Sequence, residues 1–317
     1  LRDPPDHTRL RKIVSRAFTP RTVERLESRI AEIADELLAS VASQPRVDLF
    51  SAVFAPLPIY VIGELLGVPQ DDWGRLKGWS DELAKFIDPI DAFDPTEMTE
   101  TIVDLNAAVD TWIEHRAAEP GDDLISQLLA AEDPSGGGRL TRVELKSMVA
   151  LLMTAGHETT SGLLGNSIVA LADRREAWDR LADDADVVTS AVEELIRFDS
   201  PVQNTDRMAA TDMEVGGHHV KAGQMMLLAI GAANRDPARY DGPDDLVLDR
   251  ADARPLSFGH GIHHCLGAAL ARQEARIVLP KVCREFRGAS LDRDGLVWKR
   301  SMTLRGPIAV PVVRASG

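Results

Sequence analysis

The sequence predicts a mainly α protein with small β-sheets (α+β), built as one domain over residues 1–317. The first observation is helical periodicity, because apolar residues recur at spacings of three and four up to about Asp199. One such series is Leu26, Ile30, Ile33, Leu37 and Val41. The second observation is a change of pattern after Pro201, where short strand-like stretches flank glycine-containing turn signals.

The predicted helices begin at suitable N-terminal residues and end at runs of Gly and Pro. After the first series, their starts lie near Ser51, Asp71, Thr96, Asp122 and Leu140. Loops are expected at residues 67–69, 119–121 and 134–138. Gly216-Gly217 and Asp294-Gly295 are predicted hairpin turns, and residues 268–287 are predicted as the last helix.

Composition excludes several classes of function. The net charge of −14 disfavours nucleic-acid binding, because phosphate contacts need a basic face. No apolar run approaches the length of a membrane helix, and the two cysteines favour a reducing compartment. We therefore expect a cytoplasmic protein, taken as a monomer, that binds neither nucleic acid nor membrane.

One glycine-rich loop carries most of the chemistry of the chain. Its informative residues are Phe258, Gly259, His263, Cys265 and Gly267. Cys265 lies directly before the last predicted helix, where the helix dipole and backbone N–H groups favour a thiolate. A thiolate is a metal ligand, and in haem enzymes it favours cleavage of the O–O bond.

Other interpretations of Cys265 remain open from these residues alone. A lone cysteine is usually a small apolar core residue. His263, His264 and Cys265 could suggest zinc, although adjacent ligands cannot easily surround one tetrahedral ion. A disulfide with Cys283 is excluded, because about 27 Å of helix would separate the two residues.

A second cluster lies within the helix predicted over residues 140–172. Ala155, Gly156, Glu158 and Thr159 are close together there, and a Gly near adjacent threonines is locally unfavourable in a helix. Such a break often marks a functional distortion, where a hydroxyl competes for backbone carbonyls. The alternative is an ordinary core helix whose threonines satisfy themselves.

Charged residues form two further patterns. Glu194 and Arg197 are three residues apart on one helix face, and their apolar neighbours indicate partial burial rather than a solvated ion pair. His7 and Arg11 share one face of a helix that begins near His7. The opposite face would carry Arg9, Lys12 and Arg16, which is either a basic surface or a docking site for an acidic electron-transfer protein.

The loop around Cys265, together with the Ala-Gly-His-Glu-Thr-Thr run at residues 155–160, resembles the cytochrome P450 family. This resemblance covers essentially the whole sequence, which begins at Leu1, and it implies the fold of that family without its N-terminal segment. It implies haem b (iron protoporphyrin IX) as the cofactor, with Cys265 as the axial ligand of the iron. It also implies that Phe258, Gly259 and Gly267 shape the haem-binding loop.

The resemblance implies roles for the other candidates as well. Ala155 and Gly156 would leave room for dioxygen, Thr159 would hydrogen-bond it, and Glu158 would relay protons. The expected contacts of the haem propionates are His7, Arg11, Arg207 and His263.

Glu194 and Arg197 would form the structural ExxR pair of the family. Its third partner is an Arg in the loop ahead of the haem motif, and Arg250 and Arg254 are both candidates.

The implied activity is monooxygenation of a small organic substrate with O2. The electrons would come from a ferredoxin and an NAD(P)H-dependent reductase, since no dinucleotide fingerprint is present in this sequence. The alternatives are a peroxide-driven peroxygenase and an inactive haem-binding fragment. Residues 81–94 and 202–205 are expected to border the substrate pocket, and the aromatic content of 5% favours an aliphatic or alicyclic substrate.

Overall fold

The computed structural model describes residues 2–85, 94–133 and 136–315. The helices are α1 (Asp6–Ala17), α2 (Pro20–Arg25), α3 (Glu27–Ala39), α4 (Pro56–Leu66), α5 (Trp73–Lys85), α6 (Pro95–Ala118), α7 (Leu124–Ala130), α8 (Arg142–Ala172), α9 (Arg175–Asp183), α10 (Val188–Phe198), α11 (Ile230–Ala233) and α12 (Ala268–Glu285). The strands are β1 (Arg46–Asp48), β2 (Thr205–Met208), β3 (Met213–Val215), β4 (His218–Val220), β5 (Met225–Leu228), β6 (Ser290–Leu291), β7 (Val297–Trp298), β8 (Pro307–Ala309) and β9 (Pro311–Val313). The predicted mainly α architecture with small sheets is confirmed, and each described strand except β1 follows α10.

Local sequence chemistry determines where several helices begin and end. At the start of α8, Thr141 Oγ1 accepts from the Glu144 N–H and the Glu144 carboxylate accepts from the Thr141 N–H, which forms a capping box. At the end of α4, Gly67 adopts the left-handed conformation with φ of 76°, which favours glycine. These ends agree with the predicted helix start near Leu140 and with the predicted loop at residues 67–69.

The central helix of the fold is α8. Its 31 residues pack against α4, α5 and α12, and buried side chains lie on most of its circumference. In its middle, Leu151 and Ala155 are exposed and Thr159 is half-buried. Because these residues are four apart, they form one open stripe along a helix that is otherwise surrounded by protein.

The described strands form small antiparallel sheets. One has three strands in the order β1-β9-β6, and the others are the pairs β2–β5, β3–β4 and β7–β8. The predicted turn at Gly216-Gly217 is confirmed, because β3 pairs with β4 and both glycines have positive φ. The predicted hairpin at Asp294-Gly295 is wrong, since β6 pairs with β9 and β7 pairs with β8, so this dipeptide connects two different sheets.

Two sequence expectations fall partly on residues that are not described. Residues 86–93 of the predicted pocket border, and residues 134–135 of the predicted glycine loop, lie outside the described residues. In the ranges that are described, no helix has both the length and the apolar character needed to cross a bilayer.

Candidate functional site

The loop that holds Cys265 depends on two glycines. Gly259 and Gly261 have φ of 69° and 76°, in the region that favours glycine. The Cys265 N–H donates to Phe258 O at 2.8 Å, which closes the loop, and Gly267 then caps the N-terminus of α12. Cys265 is exposed on the side that the loop leaves open, as a ligand for a large planar group requires.

The electrostatics of Cys265 differ in part from the prediction. Although the residue is exposed, neighbouring loop atoms desolvate its thiol and so raise the thiol pKa. The backbone N–H groups of Gly267 and Ala268 lower that pKa, as do the charges of Arg11 and Arg272, but desolvation is the larger effect. The N–H groups at the start of α12 therefore act in the predicted direction, but in the chain by itself they do not outweigh desolvation. Coordination by a metal ion deprotonates a thiol outright.

His7, Arg11 and His263 meet beside this loop. The ring centroids of His7 and His263 are 4.2 Å apart, and burial lowers the pKa of His7 together with the charges of His263 and Arg11. The buried Nδ1 of His7 has no hydrogen-bond partner among the described residues. Arg11 likewise makes no ion pair with any of them. Hydrogen-bonding and cationic groups are thus concentrated near Cys265, and within the described ranges only His263 of these three has an ion-pair partner, Asp3.

Thr159 lies on the open stripe of α8. Its Oγ1 donates to Ala155 O at 2.7 Å, one turn earlier in the same helix. The helix continues without interruption from Arg142 to Ala172, so the predicted local break does not occur. Ala155, which has a small side chain, is exposed next to this hydroxyl.

Gly156 lies where α4 approaches α8. A Cβ at Gly156 would lie 3.0 Å from Ile62 Cδ1, so its missing side chain allows α4 to approach α8 closely. That Gly156 also leaves room for dioxygen stays a prediction. Ala155 is the small residue that faces the open side.

Glu158 is held by a residue that the sequence did not indicate. Its Oε2 accepts from Lys299 Nζ, and the exposed fractions of the two side chains are 13% and 23%. Burial raises the pKa of Glu158, while the Lys299 ammonium opposes that rise. Lys299 follows β7, 141 residues along the chain, and no local pattern connects it with Glu158.

Glu194 and Arg197 form a completely buried ion pair. Arg197 donates from Nε and Nη2 to the two carboxylate oxygens of Glu194 at 2.7 and 2.8 Å. Arg250 Nε lies 3.1 and 3.0 Å from the same oxygens, which identifies it as the third partner. Arg254 is not that partner, because it is exposed and pairs with Asp252.

Arg272 is a second residue that sequence reasoning missed. Its guanidinium lies 4.2 Å from the centroid of the Phe258 ring and donates to both carboxylate oxygens of Glu193. It therefore fixes the start of the cysteine loop to α10 and places a positive charge near Cys265. Its position seven residues after Cys265, in the second turn of α12, was the available signal.

The remaining candidates are less closely connected. Arg207 lies in β2, where its Nη1 donates to Thr205 Oγ1 and Asp206 O, and among the described residues no hydrogen bond joins it to His7 or His263.

The predicted basic face of α1 is only partly outward. Arg9 pairs with Glu144 of α8, whereas Lys12 and Arg16 are exposed.

The donor set fits haem b. Cys265 offers one sulfur on an open side, as an axial iron ligand must. The unpartnered His7 Nδ1 and the Arg11 guanidinium provide the donor and the positive charge that propionates need. The open stripe of α8 adds an apolar surface with a single hydroxyl.

Comparison with known proteins gives one consistent family. The cytochrome P450 family profile matches residues 49–299. Vitamin D(3) 25-hydroxylase from Pseudonocardia autotrophica is 41% identical over 315 residues, which are 98% of this chain and 76% of that protein. 6-Deoxyerythronolide B hydroxylase from Saccharopolyspora erythraea is 39% identical over 312 residues, with coverages of 98% and 76%.

The solved structures lead to the same family. The cytochrome P450 PksS of the bacillaene polyketide synthase from Bacillus subtilis 168 matches with a TM-score of 0.92 at 36% identity. This match covers 99% of the present chain and 80% of the other.

Proposed function

The chain belongs to the cytochrome P450 family, and we propose from this premise that it inserts one oxygen atom of O2 into an aliphatic or alicyclic substrate with electrons from a ferredoxin. It is an oxidoreductase of the monooxygenase type, and haem b is its cofactor. The observation that carries the proposal is the meeting of Cys265, His7, Arg11 and His263 at the start of α12.

We assign the binding of haem to that group of residues. Cys265 would bind the iron, and His7, Arg11 and His263 would bind the propionates, with Arg207 as a further candidate. When haem is bound through a thiolate, it supplies the activation of dioxygen by electron density from the sulfur. Phe258, fixed beneath Arg272, would keep the loop in place.

In this proposal, Thr159 and Glu158 deliver the proton. Thr159 presents its Oγ1 on the open stripe of α8, and Ala155 beside it leaves space for a small molecule. Glu158 is the adjacent, partly buried acid, and desolvation raises the pKa of its carboxyl, which favours the form that can donate a proton. Thr159 would hold the proton at Oγ1, and Glu158 would replace it.

The substrate class is inferred from the cavity and the relatives. A cavity of about 430 Å³, within the usual range for small-molecule sites, lies between β5 and the C-terminal strands. Aliphatic side chains and a few amides line it, including Leu227, Leu304, Gln203 and Asn204. Two relatives bear the names vitamin D(3) 25-hydroxylase and 6-deoxyerythronolide B hydroxylase.

The electron donor would dock at α1. Lys12 and Arg16 form a local basic surface in a chain of net charge −14, which suits an acidic ferredoxin. Reversal of both charges should slow ferredoxin-driven reduction by about tenfold and leave dithionite reduction unchanged. An unchanged ferredoxin rate would remove α1 from the docking site.

The function itself is tested with Thr159→Ala. The haem-loaded variant should keep its haem and consume NAD(P)H through a surrogate ferredoxin and reductase. Product should fall by roughly 10²-fold while hydrogen peroxide rises, because the donor of the proton is lost. Unaltered coupling would contradict the role of Thr159. Faster product formation with peroxide alone than with ferredoxin would favour the peroxygenase.

A further inference from the structure

Lys299 is placed at Glu158 by close backbone packing rather than by chance contact of two surface side chains. A Cβ at Gly306 would lie 2.9 Å from Gly162 Cα, so the chain after β7 lies directly on α8 at that point. The Lys299 N–H donates to Gly306 O at 2.9 Å, which connects Lys299 to the same contact. Gly162 is one turn after Glu158 on α8, and this fixes Lys299 opposite the carboxylate.

The charges around Glu158 single out Lys299 as its main partner. Apart from Lys299, the charged groups that act on it are Asp81 and Lys77 of α5. Asp81 and Lys77 form an ion pair with each other, and their charges shift the pKa of Glu158 in opposite directions. His157, the neighbour of Glu158 in α8, is buried and has a pKa of about 4, so it is uncharged near neutral pH.

Lys299 is also part of the wall of the cavity. It lines the space of about 430 Å³ together with Gln203, Asn204 and Met302. A molecule in this cavity would therefore meet the ammonium that holds Glu158. Lys299 thus contacts Glu158 on one side and the cavity on the other.

We propose that Lys299 is a positioning residue that holds the Glu158 carboxylate and sets the protonation state from which it supplies Thr159. The inference rests on the proposed role of Glu158 and adds the residue that controls it. Without the ammonium, burial alone acts on the carboxyl, so Glu158 should retain its proton to higher pH. A flexible lysine suits this role, because its point charge can follow the carboxylate or leave it.

The test compares Lys299→Met, Lys299→Arg and the adjacent control Arg300→Met, which removes the same charge from an exposed position. Infrared titration of the carboxyl band, assigned by its loss in Glu158→Gln, reports the protonation of Glu158 without turnover. We expect the midpoint to rise by about one pH unit or more in Lys299→Met. Lys299→Arg and Arg300→Met should remain close to the wild-type midpoint.

The second measurement is the pH profile of peroxide released per NAD(P)H consumed. Its midpoint should shift upward in Lys299→Met, in parallel with the infrared midpoint, and not in Arg300→Met. An unchanged infrared midpoint in a Lys299→Met protein of normal thermal stability would overturn the inference. If the infrared midpoint shifts but Glu158→Gln leaves coupling unaltered, the proposed function of Glu158 fails while its pairing with Lys299 stands.

Discussion

The cluster around Glu194 and the group around Cys265 differ in how completely their polar side chains are hydrogen-bonded within the chain. In the first, both carboxylate oxygens of Glu194 accept from Arg197 and Arg250. In the second, His7 Nδ1 is buried without a partner among the described residues, and Cys265 is exposed beside it.

This difference distinguishes two kinds of residue. Structural residues make their hydrogen bonds within the chain, whereas functional residues keep polar groups for a ligand. Arg197 also donates to the carbonyl oxygens of Asn234, Pro243 and Asp245, so it joins α10 to the loops that lead to the cysteine. The Arg197 guanidinium therefore makes its hydrogen bonds within the chain and is not available to a ligand. The residues around Cys265 have donors and charge to offer to one.

Arg197→Met should have the largest effect on stability. Removal of the guanidinium leaves Glu194 as a buried charge without its main partner, which typically costs about 3–5 kcal/mol. Urea unfolding followed by circular dichroism measures this loss. Arg180→Met, which breaks the exposed pair with Asp249, serves as the control and should leave the midpoint unchanged. A loss below about 1 kcal/mol for Arg197→Met would contradict the structural role.

His157 is intermediate between the two groups, because only one of its ring nitrogens has a side-chain contact among the described residues. Its titration should make the free energy of unfolding depend on pH. Its Nδ1 contacts Ser80 Oγ at 3.0 Å, its Nε2 has no partner in the described part of the chain, and burial lowers its pKa from 6.5 to about 4. Between these values the unfolded chain binds a proton that the folded chain does not. The free energy of unfolding should therefore fall as the pH decreases from 6.5 to 4, by about 3 kcal/mol in total.

The measurement is urea unfolding of the wild type and of His157→Asn at several pH values. Asn keeps a polar group near Ser80 but does not titrate, so this part of the pH dependence should disappear. An identical pH profile in both proteins would show that His157 is not the responsible group.

Glu274 tests whether an unsatisfied polar group always indicates a ligand site. It lies in α12, completely buried, and its Oε2 has no hydrogen-bond partner within the described ranges. Burial raises its pKa well above the ordinary value, so the folded chain retains a proton that the unfolded chain releases as the pH rises. Its contribution to the free energy of unfolding is therefore lost with rising pH, by at most about 1.4 kcal/mol per pH unit.

Glu274→Gln should remove this loss. The variant should gain stability over the wild type as the pH rises above the usual range of carboxyl groups, and the two should converge at low pH. A variant that is less stable at every pH would indicate that Glu274 has a polar partner. Glu274 would then no longer be an example of an unpartnered polar group outside a ligand site.

Sequence reasoning succeeded where the signal is local. The helical spacing of apolar residues, the helix start predicted near Leu140 and the glycines around Cys265 depend on a few neighbouring residues, and the structure follows them. The pair Glu194–Arg197 belongs to the same class, because three residues of helix bring the two side chains together.

Apart from the expected break in α8, the differences from the predictions concern contacts between distant segments. Nothing near Glu158 indicates Lys299, and nothing near Gly156 indicates Ile62, since both partners arrive through packing of other elements on α8. Asp294-Gly295 has the local chemistry of a hairpin turn, but the pairing of β6 with β9 decides otherwise. The balance between burial and helix dipole at Cys265 also needed coordinates, because desolvation depends on every neighbour.

The most direct measurement is the carbon monoxide difference spectrum of the dithionite-reduced, haem-loaded chain and of Cys265→Ala. We expect a strongly red-shifted Soret band for the wild type and the loss of that band in the variant, since only a thiolate ligand produces it. A band typical of histidine or neutral thiol ligation in the wild type, or the same spectrum in both proteins, would contradict Cys265 as the iron ligand.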